Sequence, residues 1–206
     1  MKQMLPLLLV LTGCHAKFKR EAPELGAVRA QVVNTGAPSV QLGYTDGSSL
    51  VGAVVNVVQA VNSINQTDRI ADAVQVPEVN AALVRGVGET LGSGPPFAFT
   101  DAADAPLLQL EMQDYGVYVP YLGAPGVFTF DVRVRIYKPG GERVYSARTE
   151  CSIGLGDPDA AAVAFGVVNN LGALKDMTDA EINNSFVTVG SWCGQEIVRK
   201  MRKHAG

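Results

Sequence analysis

The chain has 206 residues, 47% of them hydrophobic and 18% charged, so it is long and apolar enough to bury a core and unlike a disordered chain. Its formal net charge of −3 argues against a broad basic surface, and we expect no nucleic-acid partner. The 2 His residues, His15 and His204, lie near the ends and leave little for histidine-based catalysis.

The first 14 residues have the layout of a secretory signal. Lys2 gives a positive start, residues 5–11 form a short apolar run, and two small residues precede Cys14. A membrane-spanning helix needs about 20 apolar residues, so this run is too short to be one. The ending LTGC, residues 11–14, resembles the lipobox of bacterial lipoproteins.

That resemblance implies that residues 1–13 are a signal peptide and that Cys14 carries a diacylglycerol and an N-acyl chain such as palmitate. Two or three acyl chains anchor a protein stably, since each buried methylene contributes roughly 0.8 kcal/mol. In families where Asp after the Cys retains lipoproteins in the inner membrane, His15 implies the outer membrane, facing the periplasm. The alternatives are an ordinary secretory signal with an incidental Cys, and a cytosolic start.

Residues 14–25 are polar, and we predict that they form a lipidated tether between the membrane and the domain. They contain a basic cluster of Lys17, Lys19 and Arg20. The cluster could rest on anionic headgroups, but three charges are more commonly part of a solvated linker.

The first predicted elements are a strand and two helices. Residues 26–34 alternate between apolar and polar side chains, which predicts a strand that residues 40–42 continue. One helix is predicted to begin at Leu50, after a capping serine pair. A second is predicted to begin near Pro77 and to end at the Gly- and Pro-rich residues 92–96.

A run of β-strands follows. Alternating or apolar segments predict strands at residues 97–99, 108–113, 128–136 and 143–151. The last three form a meander with one apolar and one charged face. On the charged face we expect Arg133 and Arg135 to lie opposite Glu111 as solvated partners rather than as a ligand site.

The last predicted elements are helices. An Ala-rich helix is predicted over 159–168, and a capping box at residues 178–181 opens a long helix that ends near Lys203. Residues 26–206 are therefore predicted to form one α+β domain, a mostly antiparallel sheet packed against helices. With its long hairpin ending at residues 138–141 (KPGG), this order is similar in layout to small envelope-assembly and transport-auxiliary lipoproteins. That similarity implies docking rather than catalysis.

Two cysteines remain once Cys14 is assigned to the lipid. Cys151 ends a predicted strand, and Cys193 lies on the apolar stripe of the last predicted helix, so both sulfurs are expected to face one core. In an oxidising compartment they are predicted to form a disulfide. The alternatives are two buried free thiols, or a metal or redox site, which the absence of a CxxC motif and of a nearby His disfavours.

Residues 115–125 stand out as a possible contact surface. They are expected to end a hairpin, yet they hold three Tyr, two Val and one Leu without a charge. Tyr is favoured at interfaces because it buries area while keeping a polar tip. Tyr115, Tyr118, Tyr121 and Leu122 therefore either contact a partner, a lipid surface or an acyl ligand, or fold back as core.

No motif for catalysis, a metal or a cofactor emerges. Residues 86–92 miss the spacing of a dinucleotide-binding fingerprint, and residues 154–159 lack the ligand run of a calcium loop. We expect a non-enzymatic, lipid-anchored periplasmic protein without cofactor or metal, an accessory or assembly subunit with an envelope protein partner. The alternatives are a module that binds a lipid or other apolar ligand, and an envelope hydrolase without a recognisable motif.

Overall fold

The computed structural model describes residues 13–42, 67–92, 94, 97–119, 127–153 and 177–206. The helices are α1 (Gly13–Glu21), a 3-10 turn (Ala22–Glu24), α2 (Val76–Leu91) and α3 (Asp179–Ala205), and residues 67–73 are also helical. The strands are β1 (Ala27–Asn34), β2 (Pro38–Leu42), β3 (Ala98–Phe99), β4 (Leu107–Val119), β5 (Val127–Tyr137) and β6 (Arg143–Ile153). The helices predicted from Leu50 and over 159–168 lie outside the described residues.

The fold is α+β, with one sheet packed against helices. The strand order is β3-β1-β4-β5-β6, and β2 also pairs with β4. Strands β4, β5 and β6 form the predicted antiparallel meander, whereas β1 pairs in parallel with both β3 and β4, and β2 pairs in parallel with β4. The prediction of an α+β domain with a mostly antiparallel sheet is confirmed, and the parallel pairs that β1 and β2 form make the sheet mixed.

Alternation along the strands gives the sheet one buried face. Phe128, Phe130, Val132, Val134 and Ile136 of β5 are buried, and the residues between them are half-buried. On the opposite face the predicted pairing of Arg135 with Glu111 is confirmed, with Arg135 Nη1 2.5 Å from Glu111 Oε2. Asp131 of the same face pairs with Arg148 of β6.

A β-bulge in β4 changes which side chains reach the core. The register with β5 shifts between Met112 and Asp114, so that one extra residue enters β4. Before the bulge the even-numbered residues Leu108, Leu110 and Met112 are buried, and after it the odd-numbered Tyr115 and Val117 are buried.

Helices α2 and α3 cross at glycines and cover the buried face. A Cβ on Gly86 of α2 would overlap the carbonyl oxygen of Ser191, and one on Gly194 of α3 would overlap that of Leu83. The absent side chains therefore let the two backbones approach closely. The predicted capping box of α3 is confirmed, since the Thr178 side chain accepts from the Glu181 N–H and the Glu181 side chain accepts from the Thr178 N–H.

The prediction that residues 14–25 form a tether outside the domain is wrong. Residues 13–21 form α1, and Phe18, Ala22 and Leu25 are buried in the core shared with the sheet. Phe18 belongs to α1, Ala22 begins the 3-10 turn and Leu25 follows it, so burial of their apolar surface stabilises the whole segment against the domain. The domain therefore includes α1.

Candidate functional site

The end of the molecule that carries Cys14 is built around Phe18. Its side chain is fully buried, and its ring centroid lies 4.3 Å from that of Tyr145 in β6 and 6.2 Å from that of Phe97. Since α1 begins at Gly13, Cys14 belongs to the first turn of the helix that Phe18 holds in place. The predicted lipidation residue is thus one helical turn from the core.

The C-terminal turn of α3 meets the same end. The Tyr145 hydroxyl lies 2.8 Å from Nδ1 of His204, and burial raises the pKa of the Tyr145 phenol, which therefore keeps its proton. Lys19 Nζ of α1 donates a hydrogen bond to the Gly206 carbonyl oxygen at 2.9 Å. These contacts join α1, β6 and the end of α3.

Ion pairs fasten α1 to the turn between β5 and β6. Lys17 Nζ lies 2.6 Å from Glu142 Oε1, and Lys138 Nζ lies 2.9 Å from Glu21 Oε2. The Lys138 ammonium holds the pKa of the Glu21 carboxyl below its usual range, and the Lys17 ammonium does the same for the pKa of Glu142. Both carboxylates are therefore charged and engaged with cations of the neighbouring segment.

Cys151 and Cys193 are joined by a disulfide between β6 and α3. Their Cα atoms are 5.5 Å apart, and both residues are buried. The bond lies in the core, beneath the face that α3 covers, and links two elements that are 42 residues apart in the sequence.

The structure buries one residue of the predicted contact surface and exposes another. Tyr115 is 1% exposed and packs its ring against Phe130 and Phe186, so its assignment to a contact surface is wrong, because the bulge in β4 turns it into the core. Tyr118, on the other face of β4, is 38% exposed. Tyr121 and Leu122 lie outside the described residues.

Sequence reasoning missed a groove between α2 and the edge of β1. It has a volume of about 610 Å³, and its apolar wall includes Ala30, Val32, Val84 and Phe99. The groove is also lined by the polar and charged residues Gln31, Asn80, Arg85, Glu89 and Asp101. No local motif marks the groove, because β1 and α2 come together only through the parallel pairing of β1 with β3 and β4.

The described part of the chain contains neither a cluster of metal-ligating side chains nor a membrane-spanning helix. Among these residues, no three His, Cys, Asp or Glu side chains are grouped so that they could hold a metal ion. None of the helices described combines the length and apolar character needed to cross a membrane.

Comparison with known proteins gives a similarity to a solved structure. No family model matches the chain, and no curated protein matches it. A solved structure of a hypothetical protein from Chlamydia trachomatis is similar at 10% sequence identity with a TM-score of 0.42, covering 87% of this chain and 97% of that chain.

Proposed function

We propose that this chain is a non-enzymatic, lipid-anchored protein of the bacterial cell envelope that serves as an accessory or assembly subunit of an envelope complex. The observation that carries the proposal is the position of Cys14. The lipobox-like LTGC motif ends in the first turn of α1, and α1 is fixed to the domain through the buried Phe18. A lipid on Cys14 would therefore hold the domain itself at the membrane surface.

The buried disulfide supports export. Disulfides persist in oxidising compartments such as the bacterial periplasm and are rare in the cytosol. The bond between Cys151 and Cys193 therefore fits a chain that is carried out of the cytosol, as a lipoprotein signal implies. The third cysteine, Cys14, is then accounted for by the lipid.

Lipidation is tested on the full chain with a C-terminal tag, expressed in bacteria. We expect the intact mass to show loss of residues 1–13 and addition of diacylglycerol and acyl groups. The Cys14→Ser variant should lose both changes and leave the detergent phase. The matched control, Ser substitutions at Cys151 and Cys193, should keep the lipid. An unmodified Cys14 in the wild-type chain would overturn the anchoring proposal.

The docking role is tested by chemical crosslinking in the native cell, followed by mass spectrometry of the proteins and lipids that co-purify. We expect a stoichiometric membrane-protein partner. Tyr118→Asp should reduce its recovery, because Tyr118 is an exposed aromatic side chain, whereas Arg85→Asp on the exposed surface of α2 should not. Absence of any such partner would overturn the role as a subunit.

The groove beside β1 favours a second candidate function, a module that binds a lipid or other apolar ligand. Its volume of about 610 Å³ lies within the range of small-molecule sites, and its lining includes the apolar side chains of Val32, Val84 and Phe99. This role predicts that a lipid co-purifies without a protein partner. Val84→Asp, which places a charge in the groove, should abolish its recovery, and Arg199→Asp, at an exposed position of α3 outside the groove, should leave most of it.

A further inference from the structure

Positive charge is concentrated in three segments of the chain. Residues 13–25, 138–143 and 196–206 together hold nine Lys and Arg residues against four Glu. The whole chain has 17 Lys and Arg against 20 Asp and Glu, so the remainder carries eight basic and sixteen acidic residues. All five lysines of the described residues lie in these segments. The chain is thus strongly polarised, although its net charge is small.

The fold brings the three segments together at one end, which we call the basic end. Lys17 of α1 pairs with Glu142 of the β5–β6 turn, and Lys19 donates to Gly206 after α3. Lys200 of α3 donates to the carbonyl oxygen of Arg148 in β6. Cys14, in the first turn of α1, belongs to this same end.

The carboxylates of the basic end are largely engaged, while several cations are exposed. Glu21, Glu142 and Glu196 lie in ion pairs with local Lys and Arg side chains. The exposed cations of this end are Lys19, Arg20, Arg143, Arg199 and Lys203, of which Arg20 and Arg199 form ion pairs with Glu21 and Glu196. Basic residues near the end of α3 also complement its helix dipole. The dipole of α3 does not explain the presence of Lys19, Arg20 and Arg143, because these residues belong to α1 and β6.

We propose that the basic end binds the anionic phospholipid headgroups of the membrane to which Cys14 is anchored. The anchoring part rests on the proposed function. Charge complementarity points to anionic phospholipid as the partner, because each Lys or Arg near an anionic membrane surface strengthens binding. A basic surface also adds a second membrane-binding signal to a lipid anchor, and two signals anchor a protein more stably than one. The acidic remainder of the chain is repelled by the same surface, so the basic end faces the membrane.

The test measures binding of the full chain carrying Cys14→Ser, so that no lipid contributes. Vesicles of phosphatidylcholine are compared with vesicles of equal parts phosphatidylcholine and phosphatidylglycerol, by flotation at low and high salt. The test variant is Lys19→Gln with Lys203→Gln. The control is Arg85→Gln with Arg133→Gln, which makes the same change in net charge away from the basic end.

We expect tighter binding to the anionic vesicles, weakened by high salt. The Lys19 and Lys203 pair should weaken it roughly 30-fold, since each cation contributes about 1 kcal/mol, and the control pair less than about two-fold. Equal binding to both vesicle types, or equal loss in both variants at unchanged thermal stability, would overturn the proposal. The proposal would also be overturned if the Lys19 and Lys203 pair of substitutions caused loss of an acidic protein partner and left vesicle binding unchanged.

The result is separable from the anchoring proposal. The intact mass of the wild-type chain reports whether Cys14 carries lipid, whereas the vesicle assay uses a chain without it. Binding of Cys14→Ser to anionic vesicles with an unmodified wild-type Cys14 would retain the basic end as a membrane surface and reject the lipoprotein. A lipidated wild type whose Cys14→Ser variant does not bind anionic vesicles would retain the lipoprotein and reject the basic end as a membrane surface.

Discussion

At the scale of single residues, Phe18 decides how the segment after Cys14 relates to the domain. The segment is polar on average, but Phe18 is fully buried between Tyr145 and Phe97. One aromatic side chain buries enough area to hold a short helix that would not be stable in isolation. Cys14, the proposed lipidation residue, is therefore only a few residues from the folded core.

Replacing Phe18 tests this arrangement. We expect Phe18→Ala to lower the free energy of unfolding by about 3–5 kcal/mol, because it leaves a cavity in the core. Lys19→Ala, on the exposed side of α1, should change it by less than about 0.5 kcal/mol. Urea unfolding followed by the fluorescence of Trp192 measures both. Equal stability of the two variants would mean that α1 is not packed on the domain.

The Glu21–Lys138 pair predicts a dependence of stability on pH. The pKa of Glu21 is lowered in the folded protein by the Lys138 ammonium. The pair therefore contributes fully to the free energy of unfolding above the pKa that Glu21 has in the unfolded chain. This contribution is lost as the pH falls through the pKa of Glu21 in the folded protein. Glu21→Gln should be less stable than the wild type at about pH 6, and the difference should shrink as the pH falls below about 4.3, the ordinary pKa of a Glu carboxyl.

Urea unfolding at a series of pH values measures this difference. Lys138→Gln removes the partner and should reproduce the same window. A difference in stability that does not shrink as the pH is lowered through the acid range would show that Glu21 stabilises the protein by packing and not by its charge.

At the scale of elements, the contact between α2 and α3 depends on glycine. A side chain at Gly86 or Gly194 would collide with backbone atoms of the facing helix, and backbone cannot turn aside as a flexible side chain can. We expect Gly86→Ala to lower the free energy of unfolding by about 2 kcal/mol, despite the better helix propensity of Ala. Gly140→Ala, whose Cβ would meet no atom within 4 Å, should be neutral in the same thermal or urea unfolding.

The disulfide joins the edge strand β6 to α3. In the chain-entropy model, closing 42 residues stabilises the fold by about 4 kcal/mol. The double variant Cys151→Ala with Cys193→Ala should lose about that much in urea unfolding, and a reducing agent should have the same effect on the wild type. Cys14→Ser, which leaves the bond intact, serves as the control. Insensitivity of the wild type to the reductant would contradict the prediction.

The pattern of neighbouring residues predicts most of the helices and strands, but it does not predict which strands pair. Strand β5 and the capping box of α3 depend only on residues that are close together in the sequence, so the sequence predicts them well. Whether β1 pairs in parallel with β4 depends on the path of the chain between them, and the alternation in residues 26–34 carries no information on that choice. The mixed character of the sheet was therefore out of reach.

The candidate site was predictable to a similar degree. The bulge between Met112 and Asp114 reverses the inward side of β4, and simple alternation cannot anticipate it, so Tyr115 was misassigned. In contrast, Phe18, Ala22 and Leu25 do recur at helical spacing, and that signal was present but outweighed by the polar composition around it. The groove beside β1 required tertiary structure.

At the scale of the whole molecule, the basic end and Tyr118 lie at opposite ends of the meander. Tyr118 pairs with Val127 at one end of β5, and Tyr137 pairs with Arg143 at the other. Strand β5 has 11 residues and therefore spans about 33 Å at roughly 3.3 Å per residue. A protein anchored by Cys14 and held by its basic end would thus present Tyr118 well away from the membrane.

This separation predicts which molecules each end touches in the cell. A photocrosslinking amino acid at Arg20, which is exposed on α1, should capture phospholipid, and the same group at Tyr118 should capture protein and no lipid. The reason is geometric, because an end about 33 Å along β5 is beyond the headgroup layer when the other end rests on it. Mass spectrometry of the adducts measures the outcome. Phospholipid adducts at Tyr118 as abundant as those at Arg20 would show that the molecule lies flat, which is incompatible with an upright docking subunit.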